Sequence, residues 1–174
     1  MALYLIELTP ATASKDEATA LIETVSNSRS EGAGLIETQV SADHKLIFAI
    51  IESENTAFAP ARTAAIGERA SVVGPDEVRL VGAELDDIKK LKKDADYLVE
   101  WDIPAEITME QYLTRKKANA PKYAEVPEVS FLRTYVREDT AKCLCFYDAP
   151  DEDAVLRARK AVSTPIDRLF KLHA

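Results

Sequence analysis

Residues 4–8 read Tyr-Leu-Ile-Glu-Leu, and residues 97–101 read Tyr-Leu-Val-Glu-Trp. Both stretches are rich in aliphatic and aromatic residues, carry a glutamate at the same place, and are soon followed by proline. This pattern is typical of a β-strand that ends in a turn. An internal match of this kind predicts that one structural module occurs twice in the chain.

The same helix-start signal follows each of these predicted strands. Ser14 stands three residues before Glu17, and Thr108 stands three residues before Gln111. In such a capping box the hydroxyl accepts a hydrogen bond from the backbone N–H three residues on, and the Glu or Gln side chain reaches back. We therefore expect a helix at equivalent places in both copies.

The elements that follow also occur in pairs: strands at 37–40 and 133–136, strands at 46–52 and 142–148, helices near 55–68 and 151–162, and last strands at 77–81 and 168–172. Each copy therefore predicts the order β-α-β-β-α-β, the ferredoxin-like split βαβ motif. We predict an α+β protein of two tandem ferredoxin-like repeats, at residues 1–82 and 96–174. Residues 83–95 form a charged connector, which we expect to be helical because its apolar residues recur at three-residue spacing.

The sheet of this motif carries helices on one face only, so the other face must be covered. Burial of apolar sheet surface contributes roughly 25 cal/mol per Å2. Two copies on one chain meet this need without the full entropic cost of association. We therefore expect the two repeats to form an intramolecular pseudo-dimeric α/β barrel, which could pair again as a homo-dimer.

Composition excludes several classes of partner. The chain has a formal net charge of −8, which opposes the phosphate contacts that nucleic-acid binding requires. It has no apolar run of the roughly 18 residues that span a membrane, and its N-terminus lacks the features of a signal peptide. We expect neither nucleic acid nor membrane as a partner. Free thiols at Cys143 and Cys145 would indicate a cytoplasmic protein.

The second copy resembles a family catalogued as a domain of unknown function, DUF4242. The likeness covers residues 96–172 and rests on YLVE at 97–100, YVRED at 135–139, Lys142, and CFYDAPDEDAV at 145–155. The family looks like a ferredoxin-like fold that pairs into α/β barrels, and some of its members are named as nickel-binding proteins. The resemblance implies a small soluble barrel protein that binds Ni2+ or another divalent metal in a non-enzymatic or accessory role.

Three pairs of residues are candidate metal ligands. Divalent nickel favours imidazole and carboxylate ligands and also accepts thiolate. Glu7 and Glu100 lie in mid-strand at equivalent places, where a carboxylate needs a partner. Cys143 and Cys145 share one face of a predicted strand. The third pair consists of the histidines of the chain, His44 and His173.

An enzyme is the main alternative. Ferredoxin-like barrels also host cofactor-independent monooxygenases and isomerases, and Glu100, Arg133 and Tyr135 would then serve as acid–base and positioning residues. A protein that binds a small ligand in the cavity between the two sheets is a further alternative. Structural roles also stay open: surface histidines, cysteines packed in the core, and glutamates paired with an arginine. The chain has no glycine-rich phosphate loop and no nucleophile elbow.

Overall fold

The computed structural model describes residues 1–27, 32–91 and 93–172. This part of the chain divides into two compact units. The first unit contains residues 1–78 and 85–91, and the second contains residues 79–84 and 93–172. None of the helices within these ranges is long and apolar enough to cross a bilayer.

The first unit has the predicted element order β-α-β-β-α-β. Its elements are β1 (Ala2–Pro10), α1 (Lys15–Asn27), β2 (Gly34–Val40), β3 (Ile47–Ser53), α2 (Ala59–Ile66) and β4 (Ala70–Val81), of which residues 79–81 are assigned to the second unit. All pairings are antiparallel and give the strand order β2-β3-β1-β4. Alternate residues of β1 and β3 pack against Leu21 and Val25 of α1, forming one hydrophobic core.

Hydrogen bonds from backbone N–H groups to nearby side chains determine where the two helices of this unit begin. Ser14 Oγ accepts a hydrogen bond from the Glu17 backbone N–H at 3.1 Å, as the predicted cap requires. Helix α2 begins at Ala59 rather than near Asn55. The Asn55 side chain accepts from the Ala57 backbone N–H at 2.8 Å, and an Asn that bonds its own backbone two residues on favours a turn over a helix.

The connector is less helical than its apolar spacing suggests. Helix α3 comprises only Leu85–Ile88. Ile88 is buried, whereas Leu91 is half exposed, so the apolar side of the helix does not continue. Lys89 pairs with Glu52 at 2.9 Å. An isolated helix needs roughly 12 residues or tertiary packing to persist, and only the first turn of the connector has that packing.

The second unit repeats this element order. It contains β5 (Tyr97–Asp102), α4 (Met109–Asn119), a 3-10 helix (Ala120–Glu125), β6 (Ser130–Arg137), β7 (Lys142–Asp148), α5 (Glu152–Ala161) and β8 (Arg168–Lys171). Antiparallel pairings give the strand order β6-β7-β5-β8. Both hydrogen bonds of the predicted capping box are present, between Thr108 and Gln111, at 2.9 and 3.2 Å.

The strands of the second unit are buried on both faces. Trp101 and Cys145 lie on the face that packs against Tyr112 of α4 and Val155 of α5. The residues that alternate with them point to the opposite face, where Leu98 and its neighbours are also buried; these neighbours are Glu100, Arg133, Tyr135, Leu144 and Phe146. The α+β class is therefore confirmed, with antiparallel strands and helices on one face of each sheet.

Candidate functional site: a cavity beside a buried arginine

A cavity of about 50 Å3 lies in the second unit, between the sheet and its helices. Its inner wall includes the buried side chains of Trp101, Cys143 and Cys145. Arg115 and Lys116 line it from α4 and are themselves half-buried. Arg159 of α5 completes the wall, and we call this space the Arg159 cavity.

Arg159 is a charged residue on the apolar side of α5. It is only 2% exposed. Its Nη1 donates to the Tyr147 hydroxyl at 3.0 Å, and its Nη2 donates to the Pro165 carbonyl at 2.6 Å. Its Nε–H is buried and has no acceptor within the described ranges. A buried donor on a charged group that lacks a partner is costly, so this atom requires an explanation.

Two tyrosines extend the hydrogen-bonded chain from Arg159. The hydroxyl oxygens of Tyr147 and Tyr123 are 2.7 Å apart. Because Tyr147 accepts from Arg159, its own proton is free to be donated to Tyr123. Burial raises the pKa of Tyr147 well above its usual value and raises the pKa of Tyr123 to about 12. Both phenols therefore stay neutral at physiological pH.

Cys143 and Cys145 are free, buried thiols on the helix-facing side of β7. Thr134 Oγ1 donates a hydrogen bond to Cys145 Sγ at 3.2 Å. The hydrogen bond from Cys143 lowers the pKa of the Cys145 thiol well below its usual value, and the charges of Lys116 and Arg159 act in the same direction. The same hydrogen bond and burial raise the pKa of Cys143. Of the two thiols, Cys145 is therefore the one that ionises more readily.

The candidate acid–base residues lie on the opposite face of the sheet. Glu100 is 3% exposed, and its Oε2 lies 2.5 Å from Arg168 Nε and 3.7 Å from Lys142 Nζ. The Arg133 guanidinium lies 5.0 Å from the centre of the Phe146 ring. Strand β7 separates Glu100 from Tyr135, since both residues pair with Leu144.

Residues on two strands with one strand between them are about 10 Å apart. This distance is too long for contact between the Cβ atoms of Glu100 and Tyr135. Neither they nor Arg133 line the Arg159 cavity. An acid–base role for this trio stays a prediction.

The other candidate metal ligands are dispersed. Glu7 lies half-buried in β1 of the first unit. His44 occupies the turn between β2 and β3, with a φ of 59°. His173 lies outside the described residues. Within residues 1–27, 32–91 and 93–172 there is no group of three or more His, Cys, Asp or Glu side chains that could hold a metal ion. Of the six candidates, the structure brings together Cys143 and Cys145.

The sequence carried one overlooked signal for this site. Val155, Ala158, Arg159 and Val162 recur at the i, i+3, i+4, i+7 spacing of a buried helix face, so an arginine stands where an apolar residue is expected. Thr134 gave no such signal, because its role depends on the pairing of β6 with β7, which places it opposite Cys145.

The fold and the cavity describe a mixed α/β protein with antiparallel sheets. Residues 97–172 match the model of a family described as "Nickel responsive protein SCO4226-like". This match lies within the second unit and covers less than half of the chain. No curated protein sequence matches the chain.

Two solved structures show the same fold at low sequence identity, and a third is less similar in structure. A protein named "Putative Chlorite dismutase" is 14% identical, with a TM-score of 0.58 and coverage of 100% of this chain and 96% of that chain. A "Putative monooxygenase" from Fusobacterium nucleatum subsp. nucleatum is 14% identical, with a TM-score of 0.55 and coverage of 98% and 90%. SCO4226 from Streptomyces coelicolor A3(2) is 17% identical, with a TM-score of 0.38 over 44% of this chain and 94% of that chain.

Proposed function

We propose that the second unit binds a small anion, or a small neutral molecule with an acceptor oxygen, in the Arg159 cavity. The observation that carries this proposal is the buried Nε–H of Arg159, which has no acceptor within the described ranges. Leaving such a donor unpaired costs roughly 1–3 kcal/mol, and more when the group is charged. A bound oxygen atom removes this cost, so the cavity favours a ligand that supplies one.

The charge of the cavity supports an anionic or electron-rich ligand. Arg115 and Lys116 line it together with Arg159, and the described lining residues include no Asp or Glu. The Arg115 guanidinium lies 5.4 Å from the Trp101 ring centre, and Lys116 Nζ lies 4.3 Å from the Phe131 ring centre. Aromatic rings hold these cations without neutralising them, so their field acts on whatever enters the cavity.

The size of the cavity limits the ligand to a few non-hydrogen atoms. Sites for drug-sized ligands have volumes of roughly 300–1,000 Å3, whereas this cavity has about 50 Å3, which is space for a few water molecules. Formate, nitrite and hydroperoxides are of suitable size, and extended substrates are excluded.

Nuclear magnetic resonance of the arginine Nε–H groups tests this proposal directly. The Arg159 signal is assigned as the one lost in Arg159→Lys. Titration with sodium formate in chloride-free buffer is expected to shift that signal saturably. The Arg157 signal is the matched control, because Arg157 lies two residues away on the same helix and pairs with Asp153 and Glu128 at the surface. Equal, non-saturating shifts of both signals, or no shift, would contradict the proposal.

Nickel binding is a second candidate function, supported by the match of residues 97–172 to the nickel-responsive family. The described residues do not fit a nickel site with three protein ligands. The two thiols also lie near Arg159 and Lys116, whose charges oppose a cation. Calorimetric titration of metal-free protein with Ni2+ tests this candidate. Binding weaker than about 100 μM, roughly −5.5 kcal/mol, would contradict it.

We also propose that the two units arose by duplication, which their identical order of elements and strands supports. The closure of two repeats into one barrel, a further homo-dimer and a cytoplasmic location stay predictions. Gel filtration with light scattering tests the homo-dimer, since a mass of one chain would contradict it.

A further inference from the structure

We propose that Cys145 is the site at which a small hydroperoxide, such as hydrogen peroxide, is reduced inside the Arg159 cavity. This inference rests on the proposed function in one respect: the peroxide is the oxygen-bearing ligand that enters the cavity. It goes beyond binding, because it assigns a reactive atom, an oxidant and a product.

The geometry places a nucleophile and its supporting groups around one space. Cys145 and Arg159 both line the cavity. Thr134 donates a hydrogen bond to Cys145 Sγ at 3.2 Å and fixes the position of the sulfur. Cys143 lies two residues earlier on the same strand face and lines the same cavity. Arg159 lines the same cavity and supplies a buried N–H that has no acceptor among the described residues.

The reaction is a two-electron transfer between sulfur and oxygen. The Cys145 thiolate attacks one oxygen of the peroxide, an S–O bond forms, and the O–O bond breaks. Sulfur is oxidised to a sulfenic acid, which keeps the hydrogen of the attacked oxygen. The other oxygen leaves as hydroxide and becomes water by taking up the proton that the Cys145 thiol released when it ionised. Developing negative charge on that oxygen is stabilised by the Arg159 guanidinium, the type of interaction that contributes roughly 10²–10³-fold to rate.

Burial makes the reaction selective for small oxidants. Cys145 is only 1% exposed, and a cysteine this buried is inert unless a reagent can reach it. The cavity provides space beside the sulfur, and half-buried side chains from α4 also line it. A peroxide of two oxygen atoms fits, whereas an aromatic disulfide reagent does not.

The product is expected to stop at the sulfenic acid. A disulfide needs Cβ atoms about 3.5–4.5 Å apart, whereas residues i and i+2 of a strand are separated by about 6.6 Å. Strand β7 is held by β5 on one side and β6 on the other, so it cannot deform easily to bring Cys143 closer. An external small thiol is therefore the class of reductant that restores Cys145.

Stopped-flow mixing with hydrogen peroxide, followed by intact-mass analysis, tests the inference. Wild-type protein is expected to gain one oxygen atom roughly 10²-fold faster than free cysteine at the same pH, and to form a dimedone adduct once the oxidised protein is unfolded in urea, because dimedone is too large for the cavity. Cys143→Ser is expected to form the same adduct, and Cys145→Ser to form none. Arg159→Lys is expected to react much more slowly, whereas Arg157→Lys is the matched control and reacts at the wild-type rate.

Three results would overturn the inference: oxidation of the wild type no faster than free cysteine, an equal rate in Cys145→Ser, or equal reactivity toward peroxide and a bulky aromatic disulfide. A loss of two hydrogen atoms would instead indicate a disulfide between Cys143 and Cys145. That result would contradict the sulfenic acid as final product and identify Cys143 as the resolving thiol. Formate binding separates this inference from the proposed function. If oxidation is slow but formate binds saturably, only the peroxide reaction is contradicted. If oxidation is fast but formate does not bind, only the proposed anion site is contradicted.

Discussion

Arg168 Nε lies 2.5 Å from Glu100 Oε2, and the same guanidinium binds both carboxylate oxygens of Asp102. Glu100 is 3% exposed, so its charge is tolerated because strand β8 places a cation beside it. This glutamate is thus part of an ion-pair network with Arg168 and Lys142, and its roles as metal ligand or acid–base residue stay predictions.

Replacement of Glu100 by glutamine is expected to lower the free energy of unfolding by about 2 kcal/mol, because it removes a buried, charge-assisted hydrogen bond. Urea unfolding measures this change. Glu138→Gln is the control, since Glu138 pairs with Arg79 at a more exposed site, and such surface pairs contribute at most about 1 kcal/mol. An equal effect of the two substitutions would contradict a structural role for buried Glu100.

Thr134→Val is expected to move the titration of Cys145 to higher pH. The Thr134 hydroxyl is one of the groups that lower the pKa of this thiol, and the hydrogen bond from Cys143 is the largest. Cys143→Ala should therefore cause a larger shift in the same direction, and Thr134→Ser should preserve the wild-type titration. The thiolate absorbance in the ultraviolet, followed against pH, measures all three. An unchanged midpoint in Thr134→Val would show that this hydrogen bond does not act on the sulfur.

Local patterns in the sequence predicted the order of the elements because they depend on neighbouring residues. The capping boxes at Ser14 and Thr108 and the hairpin between β6 and β7 are of this kind. A helix was expected in the connector, but its short length was not predicted because it depends on tertiary packing, which ends after Ile88.

The candidate site was harder to predict because it combines residues that are distant in sequence. The two cysteines were recognised as sharing a face. The groups that activate one of them come from β6, α4 and α5: Thr134, Lys116 and Arg159. Their proximity is a consequence of strand pairing and helix packing, so no spacing rule reveals it.

Tyr147→Phe is expected to destabilise the second unit by about 1–3 kcal/mol, because it removes the acceptor of Arg159 Nη1 and leaves a second buried donor of that side chain unpaired. The double variant Tyr147→Phe with Arg159→Met should be less destabilised than the sum of the single variants, since it removes both partners. Urea unfolding of the four proteins forms a double-mutant cycle. Additive effects would contradict coupling between these two side chains.

The pH dependence of stability follows from Tyr123. Burial raises the pKa of this phenol to about 12 in the folded protein, compared with about 10 in an unfolded chain. The stabilisation that the neutral phenol provides is therefore complete below about pH 10 and is lost as the pH rises through about 12. In that interval the unfolded state has released a proton that the folded state keeps.

Tyr123→Phe removes this proton, so the decrease in unfolding free energy with pH should become shallower by up to about 1.4 kcal/mol per pH unit. Tyr147 continues to contribute, because burial raises its pKa even further. Urea unfolding at a series of alkaline pH values measures the slope, and the same measurement at neutral pH isolates the loss of the hydrogen bond to Tyr147. A variant that loses stability as steeply as the wild type would show that Tyr123 is not held neutral by its surroundings.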